Sequence, residues 1–195
     1  IWSLSMKFSM SPQARMHREY RASLELRRAG ISTPRVVGAA IDDKVLVREF
    51  VEGKVLSKMI DEAFRSKKNR VDEVETYGAV MAQVHRAGFA LGDAKAENVI
   101  IRNGEACVAD LEQAVEGGDQ AWDIAEFLYY TGKLSLREDG MRAVANAFLD
   151  GYVSVNGKGG NITKARTTKY LTPFRALVTL QILKVIREAF DTHID

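Results

Sequence analysis

Asn103-Gly104 sits between two short apolar runs, "NVII" and "ACVA", in the stretch "AENVIIRNGEACVADL" (residues 96–111). A two-residue turn of this kind needs left-handed backbone at both positions, which asparagine and glycine tolerate and most residues resist. The pair therefore commits the chain to an antiparallel hairpin in a region otherwise patterned for helices. A hairpin also brings its two outer ends together. Here one end carries Asn98 and the other Asp110, and Asp93 and Lys95 lie just upstream in "LGDAKAEN" (residues 91–98).

The flanking sequence is read by period and punctuation. Residues 2–8, "WSLSMKF", read as a strand. Ser11 followed by Pro12 marks a helix start, with a side-chain acceptor at the cap and proline where its missing N–H does no harm, and Gly30 marks the stop. "ISTPRVVGAAIDDKVLVREFVEG" (residues 31–53) reads as two strands joined by a turn at Asp42-Asp43 and ended by Gly53. From residue 54 the pattern is mostly helical. Val74, Tyr77, Met81 and Val84 fall on one helical face that Gly88 closes, and "AWDIAEFLYYTG", "MRAVANAFLDGYV" and "TPFRALVTLQILKVIREAF" supply three more helices. "NGKGGN" (residues 156–161) precedes no strand-to-helix junction of the phosphate-loop type and reads as a flexible connection, and "RSKKNR" (residues 65–70) as a solvated loop. The expected class is α+β, with a β-containing unit over residues 1–53 and a larger helical unit over 54–195 that holds the hairpin.

Composition narrows the function. Apolar residues make up 46% of the 195, enough for a real core, and the net charge of +2 indicates neither a nucleic-acid nor a membrane partner. No apolar run approaches the roughly 20 residues a membrane helix needs. Cys107 is the single cysteine, so neither an internal disulfide nor a zinc site is available; it reads as a buried strand residue in a protein of the reducing cytoplasm. His85 reads as a core hydrogen-bonding residue, His17 and His193 as surface residues, and Trp122 as core.

At the hairpin ends the residue types point to one chemistry. Asp93 can orient or deprotonate a hydroxyl nucleophile, and Lys95 offers a compact positive charge to phosphate oxygens. An amide oxygen from Asn98 and a carboxylate from Asp110 are hard ligands suited to Mg²⁺. Together these are the parts of a phosphoryl-transfer site.

The stretch resembles the catalytic loop of protein kinases, in which an aspartate and an asparagine are followed by a metal-binding Asp-Phe-Gly. Asp93, Lys95 and Asn98 match the serine/threonine form of that loop, and Asp110 in "ADLEQ" stands for the metal aspartate. "HRAGFALGDAKAEN", "VADLEQA" and "WDIAEFLYY" are most similar to the small atypical kinases of the RIO group and to the kinase/ATPase subunit of the KEOPS tRNA-modification complex. "REYRASLELRRAGISTPRVVG" and "VLVREFVEG" extend the likeness upstream. The resemblance implies a two-lobed protein-kinase-like fold, with a truncated β-containing N-lobe and a mainly helical C-lobe. It implies ATP and Mg²⁺ as cofactors, and a hydroxyl-bearing acceptor, expected to be a protein. It implies that Lys7 pairs with Glu19 to hold the nucleotide phosphates, that Glu49 to Val51 form the hinge beside the base, and that Asp123 braces the catalytic loop. Glu19 also stands within helical reach of Arg15.

The sequence departs from the ordinary kinase pattern in named places. Leu91 occupies the position of the kinase histidine, and Asp110-Leu111-Glu112 lacks the glycine that permits an activation-segment flip. No Ala-Pro-Glu segment follows, and the short basic tail typical of the KEOPS subunit is missing. No glycine-rich loop precedes Lys7; because the chain opens on Ile1, such a loop is expected in a segment upstream of it. An atypical serine/threonine protein kinase is the expected function. A small-molecule (sugar or lipopolysaccharide-type) kinase, an ATPase module working with a partner in a complex, and a non-catalytic scaffold remain the alternatives.

Overall fold

The computed structural model describes residues 11–66, 71–135 and 137–194. The expected strand at 2–8, Lys7 within it, and most of the 65–70 loop lie outside the described residues. Helix α1 (Pro12–Arg28) starts as its sequence dictates: the Ser11 hydroxyl accepts the Ala14 N–H at 3.4 Å, and proline opens the first turn. Gly30, at φ +81°, turns the chain into an antiparallel ribbon of β1 (Val36–Ala40) and β2 (Val45–Arg48), joined by the turn at residues 41–44. A groove of roughly 490 Å³ separates α1 from this ribbon, lined among others by Met16, Tyr20, Val36 and Leu46.

Past Gly53, strand β3 (Lys54–Val55) leads into α2 (Leu56–Ser66) and α3 (Asp72–Arg86). Val74, Tyr77, Met81 and Val84 are all buried, as their spacing requires. β4 (Phe89–Ala90) precedes the hairpin of β5 (Val99–Arg102) and β6 (Glu105–Val108). Its register runs from Val99 opposite Val108 to Arg102 opposite Glu105, with Asn103 at φ +51° and Gly104 at φ +82° in the turn. β3 joins the other edge of β5, and β7 (Val115–Glu116) pairs with β4. Cys107 is buried in β6.

The remainder is helical: α4 (Gln120–Gly132), α5 (Glu138–Asn156), α6 (Asn161–Ala165), α7 (Thr168–Leu171) and α8 (Leu180–Ile194). Helices α3 and α5 cross at two glycines. A Cβ on Gly78 would lie 2.0 Å from the Phe148 carbonyl oxygen, and one on Gly151 2.0 Å from that of Glu75, so only hydrogen allows the backbones this close. Beside the crossing the rings of Tyr77, Phe127 and Phe148 cluster, the last two 4.3 Å apart. Among the described residues no helix is long and apolar enough to cross a membrane.

Two expectations fail in the last third. "TPFRALVTLQILKVIREAF" is not one helix: a 3-10 turn at Thr172–Phe174 ends, and α8 begins only at Leu180. Phe174 and Val178 both turn inward to the core, and Thr179 then caps the new helix, its hydroxyl accepting the Ile182 N–H at 3.4 Å and its carbonyl the Leu183 N–H at 2.9 Å. His193 is buried rather than on the surface. Its Nε2 lies 3.0 Å from Asp150 and its Nδ1 2.7 Å from the Ala189 carbonyl, which docks the end of α8 onto α5.

Candidate active site

The loop between β4 and β5 is fastened from behind by two buried carboxyls one helical turn apart on α4. Asp123 accepts the Leu91 N–H at 2.6 Å and the Gly92 N–H at 2.8 Å; Glu126 accepts the Ala94 N–H at 2.8 Å. On the other side of residue 94, the Tyr77 hydroxyl donates to the Ala94 carbonyl at 3.0 Å. His85, buried as expected, links Asp123 to the Tyr152 hydroxyl through its two ring nitrogens at 3.0 and 2.8 Å. Asp93 is thus the one residue of 91–94 whose backbone amide none of these carboxyls takes.

Lys95 Nζ lies 2.5 Å from Asp93 Oδ1, each side chain about a quarter exposed. Burial works against the Lys95 ammonium, but the Asp93 carboxylate outweighs it and raises the lysine's pKa. The Asn98 amide donates from Nδ2 to the Asp93 carbonyl at 3.0 Å, which leaves its Oδ1 as the acceptor. The Asn98 carbonyl in turn accepts the Ala109 N–H at 2.8 Å, so the pairing of β5 with β6 continues one step and delivers Asp110 beside Asn98. Asp110 Oδ1 accepts the Glu112 N–H at 3.2 Å. Burial, together with the charges of Glu112 and Asp93, raises the Asp110 pKa.

Glu19, from α1, joins the same field. Burial raises its pKa against the pull of Arg48, and Asp110 and Glu112 push it further up. Its partner among the described residues is Arg48, whose guanidinium also donates to the Ala109 carbonyl at 2.7 Å. The helical Arg15–Glu19 pair does not form; Arg15 instead holds both oxygens of Glu112 at 3.1 and 3.2 Å. Arg21 pairs with Glu116 at 2.5 Å, so α1 is tied twice to the segment after Asp110.

Asp93, Lys95, Asn98, Asp110 and Glu19 are therefore brought together. Glu49 and Val51 are not part of that cluster: they line a separate cavity of roughly 260 Å³ by the hairpin turn, with Ser32, Arg102, Asn103, Glu105 and Cys107. Arg48 and Glu126 are additions that sequence reasoning missed. Arg48 carried only a weak signal, a cation in the strand leading to the expected hinge. Glu126 carried a better one, an acid in the middle of an otherwise apolar helix.

The donor set can be tested for a metal. Among the described residues no group of three or more His, Cys, Asp or Glu side chains is arranged to cage an ion. What the hairpin brings together is one amide oxygen and one carboxylate, Asp110, whose ionisation is opposed first by burial and then by the charges of Glu112 and Asp93. Two hard oxygens suit Mg²⁺ shared with phosphate and water, rather than an ion bound by protein alone. Asn98 and Asp110 fit that role.

An α+β chain with a carboxylate, a lysine, an amide and a second carboxylate gathered at the base of one hairpin is of the kinase type, and its sequence says which kind. The RIO domain model matches residues 6–128, and the chain belongs to the RIO family of atypical kinases. It is similar to the RIO-type serine/threonine-protein kinase Rio1 of Haloferax volcanii, 36% identical over 107 residues. The similarity covers 53% of this chain and 34% of that relative, so the chain spans about a third of the relative's length.

Proposed function

We propose that the chain is an ATP- and Mg²⁺-dependent phosphotransferase of the cytoplasm acting on a hydroxyl of a protein, an atypical serine/threonine protein kinase. The observation that carries this reading is the Asp93–Lys95–Asn98–Asp110 cluster, where a carboxylate, a cation and two further hard oxygens are gathered at the base of one hairpin. Asp93 accepts a hydrogen bond from the acceptor's hydroxyl and takes its proton as that oxygen bonds to the γ-phosphorus of ATP and the bond from this phosphorus to the bridging oxygen breaks, releasing ADP. Lys95, drawn to Asp93 here, turns to the oxygens of the moving phosphoryl group and offsets their charge. Asn98 and Asp110 would hold Mg²⁺, which when bound neutralises the nucleotide's phosphate oxygens. Positioning and charge compensation account for most of the acceleration in transfers of this kind.

The two-lobed organisation belongs to the same reading, with residues 1–53 as the N-lobe and 54–195 as the C-lobe. Glu49 and Val51 would flank the base of ATP at the join. Strand β5 supports the spacing: four residues at about 3.4 Å each separate the cavity at Glu49 and Val51 from the cluster at Asn98, a span of about 14 Å. That is about the reach of an extended nucleotide. Lys7 would complete the phosphate contacts, with Glu19 released from Arg48 to pair with it.

The test is transfer from [γ-³²P]ATP with Mg²⁺ present, wild type against Asp93→Ala. Label on protein in the wild type, lost in Asp93→Ala while nucleotide binding persists, is the expected result. Label on a metabolite would replace the acceptor with a small molecule. Free phosphate alone, rising with an added partner, would indicate an ATPase module. Equal transfer by Asp93→Ala would remove Asp93 from the mechanism.

A further inference from the structure

Glu126 stands out among the groups that the proposed transfer does not use. It is fully buried in the middle of α4; its Oε2 accepts the Ala94 N–H at 2.8 Å, and its Oε1 is buried with no hydrogen-bond partner among the described residues. An ionised carboxylate left with an unsatisfied buried oxygen is expensive, whereas a protonated one is tolerated. We propose that Glu126 is a positioning residue of the catalytic loop that works in its neutral form, holding Ala94 in place while adding no negative charge behind the Asp93–Lys95 pair. This rests on the reading of Asp93 and Lys95 as transfer residues.

The groups that face it are few. From the loop come Asp93, which opposes its ionisation, and Lys95, which favours it. From its own helix comes Asp123, which opposes it; from α3 comes the Tyr77 hydroxyl, neutral and itself engaged by the Ala94 carbonyl. Burial is the largest influence and Asp93 the next, and together they push the Glu126 pKa up to about 8. At neutral pH the carboxyl therefore keeps its proton.

Loss of that proton changes the site without breaking any covalent bond in the chain's backbone or side chains other than the O–H itself. A second negative charge then lies behind Asp93 and competes with it, and with phosphate, for the Lys95 ammonium. Phosphoryl transfer should weaken as pH rises through the Glu126 titration. A glutamine at this position keeps an oxygen for Ala94 and cannot ionise; an alanine abandons the amide.

Two measurements decide the matter on the full chain. The first is infrared difference spectroscopy of ¹³C-glutamate-labelled protein, wild type minus Glu126→Gln, with amide exchange at Ala94. A protonated-carboxyl C=O band at neutral pH that titrates away near pH 8, and Ala94 exchange faster in Glu126→Ala than in Glu126→Gln, are expected. Absence of that band at neutral pH overturns the proposal, whether or not the protein transfers phosphate. The second is the pH profile of kcat. Wild type should lose turnover from about pH 7 to about pH 9, and Glu126→Gln should stay level across that range. Glu126→Ala should fall about tenfold or more at every pH, since slight misplacement of reacting groups costs up to about a hundredfold. A wild-type decline that Glu126→Gln reproduces unchanged also overturns it. Lack of transfer by every variant would count against the kinase reading alone, with the infrared band and the Ala94 amide still deciding the role of Glu126.

Discussion

Asp123 shows how one side chain can fix a loop it does not belong to. It is fully buried and receives the Leu91 and Gly92 amides and the His85 ring, so its charge is met by three donors from two other segments. Removing it leaves those donors buried without a partner. Asp123→Ala should therefore destabilise the protein by about 3 kcal/mol, read from its urea midpoint, and lower transfer through disorder of the Asp93 loop. Three residues on, Glu126 makes the stability depend on pH. Its folded-state pKa is raised from 4.5 to about 8, so the folded protein binds a proton more tightly there than the unfolded chain does. Stability from this group is present in full below its unfolded pKa and is lost as pH rises to about 8, at about 1.4 kcal/mol for each pH unit crossed. Relative to wild type, Glu126→Gln should gain thermal stability steadily from about pH 5 to about pH 8, the interval between the unfolded and folded pKa values. A difference in Tm that does not change with pH would refute it.

Among the elements, α3 and α5 cross in close contact, because Gly78 and Gly151 let backbone meet backbone. Gly151→Ala should push them apart and lower stability by about 1–3 kcal/mol with an unchanged denaturant slope, since a new methyl has a carbonyl rather than a flexible side chain in its way. Elements specified by adjacent residues are legible in the sequence. The Ser11-Pro12 start, the Asn103-Gly104 turn and the buried face of α3 each depend on neighbours a few positions away. The misses share the opposite property. Burial of His193 depends on Asp150, 43 residues earlier, and the break before α8 on where Phe174 and Val178 find the core. The Arg48 bridge from Glu19 to Ala109 likewise joins three segments remote in sequence, and its residues carry no periodicity that announces it. For the site, the loop residues and Asp110 are readable because the hairpin between them fixes their approach. The carboxyl behind the loop is not, because an isolated acid on a helix gives no sign of which amide it will meet.

On the scale of the whole molecule, Arg48 ties α1, the β1–β2 ribbon and the end of the hairpin together around one acidic field. Four carboxylates, Glu19, Asp93, Asp110 and Glu112, share that field with Arg15, Arg48 and Lys95. Such a field repels the phosphates of a bare nucleotide and accepts them once a divalent cation is shared. Nucleotide binding should therefore depend on Mg²⁺, and depend on it through Asp110. The direct measurement is calorimetric titration of a non-hydrolysable ATP analogue into wild type and Asp110→Ala, each with and without Mg²⁺. Wild type should bind the analogue tightly only when Mg²⁺ is present, and Asp110→Ala should lose that advantage. Equal binding with and without Mg²⁺ in the wild type, or an undiminished Mg²⁺ advantage in Asp110→Ala, would contradict the assignment of this cluster as a metal–nucleotide site.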